Sequence, residues 1–553
     1  MARTIPTCSL ALAVALAAAG TARASTSVER PTGASTFVGA RAAELQGDPR
    51  RAAALYAALA AADPANPIIA NRAISQAISA GDMPLALRLA NARQTAGLAF
   101  DARLLLAADR LRNRQPGPAV ALLNLPSNSG SLNFLATPVR AWAAAERRDP
   151  AALTILSTIP AGSVASPIVP ELRALMLLRL KRGAEAEPFA RQAVAQAGGR
   201  AVPLRIAIAD GYMQLRDPQR ALAFLDGSDP TTLRARALVA AGKRPGGGIE
   251  TAAQGLAALL TALALDLNPE NEQSLPIAMV QIARFADPAS EPARVLLGLL
   301  LGQAGRTDDA LVALRGIDER SLFAPQVRDT EVRALVNAGR EQEALARAQA
   351  FAQGPDADST DWGRLGDMLD ELKRSREAAA AYGRAIALLP PEATNRWQLY
   401  LLQGAMLDRS KQWDQARAAL EMARKLDPQN PTVLNYLGYA QLERGENLDA
   451  AEALIAEAHR LKPDDGSITD SLGWAQFKRG RVSQAIATLT QAAAGQPAEA
   501  EIHEHLGDAL YTAGRKFEAR HAWNAALITA EDDDRVRIQS KLQAGLNPGN
   551  AAP

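Results

Sequence analysis

The chain has 553 residues, with 61 Lys and Arg against 59 Asp and Glu, so it is close to neutral and lacks the basic stripe of a nucleic-acid binder. Its one cysteine, Cys8, excludes a disulfide framework and a cysteine-based metal site. Aromatics are 4% of the residues, and a background rich in Ala, Leu and Arg favours helix over strand.

The first 24 residues read as an export signal. Arg3 supplies a positive start, residues 10–19 (LALAVALAAA) a short apolar run, and Ala22-Arg23-Ala24 a cleavage site, with the mature chain beginning at Ser25. Ten apolar residues are too few to span a bilayer. Cys8 precedes the apolar run, and Ile5-Pro6-Thr7 is not a lipobox, so no lipid anchor is expected. Without Arg3 and Arg23, basic and acidic residues balance at 59 each.

Residues 25–243 carry a faint period. One unit, 33–66, has Gly47, Ala52, Tyr56 and Pro64; the next, 67–100, has Gly81 and Ala86; a third, 202–235, has Ala221. The stretch from about 101 to 201 is helical with no legible register. Residues 244–248 (RPGGG) open an atypical helical join that runs to about 290. Its best apolar stretch, about eleven residues from Gly255 to Leu265, reads as a buried helix.

From 291 the period is clear. Leu365-Gly366, Leu437-Gly438, Leu472-Gly473 and Leu506-Gly507 each open a unit, and Ala378, Ala450, Ala485 and Ala519 follow twelve residues after the Gly. Pro390, Pro463 and Pro497 close units. The frame gives units at 291–324, 325–358, 359–392, 397–430, 431–465, 466–499 and 500–533. Beyond them, residues 534–546 place Ile538 and Leu542 one turn apart among Arg535, Arg537, Gln539 and Lys541, a one-sided capping helix; 547–553 (NPGNAAP) read as a disordered tail.

This spacing resembles the tetratricopeptide repeat, in which small residues at two helix positions let paired helices approach closely. The resemblance implies an all-α fold, a right-handed superhelical solenoid of helix–turn–helix units. Turns are expected at Gly445, Gly480 and Gly514, where glycine can take the left-handed conformation. In that family the concave groove is lined from the first helix of each unit. Carried across, the groove positions are Asn435, Tyr439 and Leu442, then Asp470, Trp474, Phe477 and Lys478, then Glu504, Asp508 and Tyr511. Scarce aromatics fall on them, and exposed aromatics anchor bound peptides. The alternative reading is that these rings pad the core; Trp362 and Trp523 are expected in the core. A clamp for a terminal carboxylate could draw on Asn435 and Lys478, but Asp470, Glu504 and Asp508 would repel an anion. The expected guest is a basic or apolar protein segment.

No catalytic, cofactor-binding or metal-binding constellation stands out. His503 and His505 are two residues apart and point to different sides of a helix, unlike a zinc pair. Gly242-Lys243 lacks the Ser or Thr and the preceding strand of a phosphate loop. The chain is read as not an enzyme; the export signal and the resemblance to secreted tetratricopeptide-repeat proteins imply a periplasmic or secreted scaffold for protein–protein interaction, with envelope assembly as the role that the family suggests. The runner-up is an accessory part of a polysaccharide-export or secretion machine; a repeat-borne enzyme comes third.

Overall fold

A computed structural model describes residues 33–552, apart from 94–96, 126–131, 164, 268–273 and 390–392. The expected signal with Cys8 and the cut after Ala24 lies outside the described residues, as does Pro390. Among the described residues there are thirty α-helices and no strand, and most helices pair antiparallel with the next. The chain is an all-α solenoid.

Two local devices set its period. Eight of the described helices open on an Asn or Asp whose side chain caps the first turn, six of them with Pro there: Asn430 accepts from the amides of Thr432 and Val433, ahead of the helix Pro431–Glu443. Within a unit, a left-handed residue ends the first helix and turns the chain into the second. Gly445, Gly480 and Gly514 do this, as the sequence predicts, with φ of 66°, 77° and 81°. Further upstream the same conformation falls at Gly47, Gly81, Arg114, Arg148, Lys181 and Arg216. These positions keep a spacing close to 34 residues, so the frame runs unbroken through 101–201. Its pairs there are Phe100–Arg112 with Pro116–Leu123, Asn133–Glu146 with Ala151–Leu156, and Val169–Arg179 with Gly183–Gln196. The register is illegible in the sequence because Arg and Lys stand where glycine marks the turn elsewhere, and because two of the second helices have only 8 and 6 residues.

The join does more than connect. After the RPGGG strap, the helices Ala252–Asp266 and Ser274–Ala286 pack onto the first helices of the upstream units: Pro67–Ala80, Phe100–Arg112 and Asn133–Glu146. Gly255 lies so close to Trp142 that a Cβ there would overlap the indole ring. The strap is held by buried Asp210, which accepts from Arg244 Nη2 at 2.6 Å and from the Gly246 amide at 3.0 Å. Gln281 Nε2 and Arg306 Nη1 both donate to the carbonyl of Ser79. The inner face of the N-terminal units is thus filled by the chain itself, and one continuous core runs from Ala53 to Ala334.

The C-terminal array continues as stacked helix pairs. Its last pairs are Pro431–Glu443 with Leu448–Leu461, Gly466–Lys478 with Val482–Gly495, and Ala500–Thr512 with Lys516–Thr529. Gly473 packs directly on the second helix of its unit: an added Cβ would lie 2.7 Å from Leu489 Cγ. Trp523 is buried, and Trp362 is half-buried. Apolar contacts here divide into several smaller clusters, as expected where each unit touches only its neighbours.

Candidate functional site

The first helices of the last three units stand side by side and bring the predicted groove residues together, but in two groups with different surroundings. Asn435 and Tyr439 line a cavity of about 320 Å³ with Glu443, Asp470, Glu499 and Glu501. The Tyr439 hydroxyl donates to Glu501 Oε1 at 2.9 Å. Burial and then the charges of Glu501, Glu443 and Asp470 push the phenol well above its usual pKa, so it stays protonated and donates. Glu499 and Glu501 form no ion pair with a basic side chain among the described residues, and both are exposed. Arg444 also lines the cavity, paired with Asp408, and Lys478 pairs with Glu443 at 4.0 Å; among the described residues, the carboxylates at the exposed edge without a basic partner are Glu499 and Glu501, beside the Tyr439 ring.

The second group is drawn inward. Trp474 is 1% exposed. Its indole stacks on Phe477 at 4.9 Å and on His505 at 3.9 Å, and its Nε1 donates to Glu443 Oε1 at 3.1 Å. Lys478 Nζ lies 5.0 Å from the ring centre and pairs with Glu443 Oε1 at 4.0 Å. Asp470 is buried and accepts from His505 Nδ1 at 2.9 Å. Burial alone would lower the His505 pKa; the Asp470 charge outweighs it and holds the imidazole above its usual value. Leu442 is core, and Tyr511 is half-buried against Trp523.

The acids expected to repel an anion are already neutralised. Glu504 and Asp508 are buried beneath the capping helix Asp532–Ala544. Glu504 takes a two-pronged bond from Arg537, at 2.8 and 2.7 Å, and one from Lys541 at 2.6 Å. Burial raises the Glu504 carboxyl, but these cations hold it below its usual pKa. Asp508 accepts from Lys541 Nζ at 2.7 Å and from Trp523 Nε1 at 2.9 Å. The capping helix buries Ile538 as expected, yet Lys541 is fully buried beside it rather than solvated.

Of residues 547–552, expected to be a disordered tail, Asn550 and Ala552 are buried against this group and the others are exposed. The chain turns at Gly545, φ 78°, directly over Tyr511, whose hydroxyl would collide with any Cβ there. Asn550 closes the turn: it donates to the Gly545 carbonyl at 2.9 Å and accepts from the Asn547 amide at 2.8 Å. The Ala552 amide then donates to Asp508 Oδ2 at 3.0 Å, and Ala552 is buried in the cluster that holds Leu442, Ile455 and Trp474. Sequence reasoning does not single out His505, Glu443, Glu501 or Lys541 as groove residues. A helix position that reads as packing or solvent carries no signal of a partner 30 or more residues away. A wider opening of about 800 Å³, lined by Leu233, Val332, Met368 and Leu399, lies upstream.

A sequence profile relates the last of these units to a known repeat. A tetratricopeptide-repeat profile matches residues 405–466 and 471–535. No curated protein sequence matches the chain. Among solved structures, the APC/C hetero-tetramer Cut9-Hcn1 is 14% identical with a TM-score of 0.37, over 94% of this chain and 98% of that one. Yeast Tom70 is 12% identical with a TM-score of 0.36, over 93% and 95%. TTC0263, a thermophilic TPR protein of Thermus thermophilus, is 23% identical with a TM-score of 0.30, over 34% and 99%. The likeness to tetratricopeptide repeats is thus carried by residues 405–466 and 471–535.

Proposed function

We propose that the protein is an exported scaffold that holds a segment of another protein on the inner side of its last three units, and that it works by binding rather than catalysis. The observation that carries this reading is the acidic cavity between Tyr439, Glu443 and Glu501, which opens beside a cluster of aromatic rings. It suits a segment that offers a lysine or arginine next to apolar residues. Export is supported by the A-x-A signal at residues 22–24, and a periplasmic role in envelope assembly is what the resemblance to secreted repeat proteins suggests. No helix among the described residues is long and apolar enough to cross a membrane.

Partner capture from an envelope extract tests the binding site. The full chain is compared with the double variant Glu443→Lys, Glu501→Lys, at low and high salt. The expected result is capture by the wild type that weakens with salt and a loss of about tenfold or more in the variant. Equal capture by both chains, with matched melting curves, would overturn the reading.

A further inference from the structure

The segment seated beside the acidic cavity belongs to the chain itself, and the manner of its seating identifies what the groove binds. Residues 546–552 (LNPGNAA) carry no charge. They reach the Trp474 cluster through one small side chain, Ala552, and through one backbone N–H given to Asp508. Nothing about that contact depends on a side chain peculiar to this tail. Asp508 has its charge met by Lys541 and still accepts the amide, so it reads a backbone N–H. The tail leaves the cavity at Tyr439 and Glu501 open: no tail residue lines it.

We propose that residues 547–552 are an internal ligand of this groove, occupying its apolar subsite, and that a partner segment displaces them by filling both subsites. This deepens the function proposed above and rests on it. The partner segment has a small apolar residue with a free backbone N–H at the Asp508 end and a basic residue that reaches Glu501 and Glu499 and competes with Lys478 for Glu443. The tail has the first feature and lacks the second. Its advantage is tethering, which gives it a high local concentration; the partner's advantage is the added ion pairing. Asp470 joins the subsites, since it lines the cavity and holds His505 against Trp474. A groove closed in this way exposes few apolar atoms until a segment with the right charge arrives.

The experiment uses the full chain with Ala552→Glu, which sets a carboxylate and added bulk beside Asp508 and expels the tail. The probe is a fluorescent synthetic peptide of residues 546–553, LNPGNAAP, followed by anisotropy. The variant is expected to bind the peptide about tenfold or more tightly than the wild type, whose own tail competes. A second variant, Asn550→Ala, opens the tail's turn without touching the groove and is expected to shift binding in the same direction. Failure of both variants to bind the peptide, with melting curves like wild type, would overturn the inference. That failure is distinct from failure of the binding function: peptide binding reads the Asp508 subsite alone, whereas the Glu443→Lys, Glu501→Lys comparison reads the acidic cavity.

Discussion

Lys181 adopts φ 61°, in the left-handed region where an L side chain is strained, at the same place in its unit as Gly445 in a later one. Arg114, Arg148 and Arg216 do likewise. A glycine would adopt this conformation without the penalty, which is of order 1 kcal/mol for other residues. Lys181→Gly is therefore expected to raise stability by up to about 1 kcal/mol, read as a higher melting temperature. A lower melting temperature would mean that Lys181 does not form the left-handed turn. These residues also explain what the sequence hides. Glycine marks a turn plainly, and Gly445, Gly480 and Gly514 are legible for that reason; an arginine at the same turn looks like any solvated helix residue. Trp474 shows the opposite limit. Its position in the repeat is legible, but its burial is not, because the residues that cover it, His505 and Ala552, come from another unit and from the tail.

The capping helix Asp532–Ala544 shows how an element can be read correctly for one half of its contacts. The stripe of Ile538 and Leu542 predicts a face that closes the solenoid, and Ile538 is fully buried. Lys541 lies one turn from Ile538 and is just as buried, because Glu504 and Asp508 on Ala500–Thr512 both face it. A pairing that joins residues more than 30 apart leaves no local periodicity to detect. Lys541→Ala leaves Asp508 buried without its cation, and removing one partner of a buried pair costs about 3–5 kcal/mol. The loss should appear as early melting of the last unit, the capping helix and the tail, with the N-terminal half unaffected. A change under about 1 kcal/mol would show that the helix docks through Ile538 and Leu542 alone.

The whole molecule divides its inner surface between two uses. In the N-terminal half the join helices Ala252–Asp266 and Ser274–Ala286 fill the space that a guest would need, and the result is a single core. In the C-terminal half the capping helix and the short tail cover the end of the inner surface, and the part before them carries the acidic cavity. The repeat frame from 291 onward is legible because small residues recur where helices touch. The filling of the upstream half is not, since Gly255 meets Trp142 across more than a hundred residues. Hydrogen exchange over the full chain, free and with captured partner, tests this division most directly. New protection is expected at 435–443 and 470–478, with the Ala552 amide losing protection as the tail leaves Asp508. Protection gained only in residues 67–146, with the Ala552 amide unchanged, would contradict it.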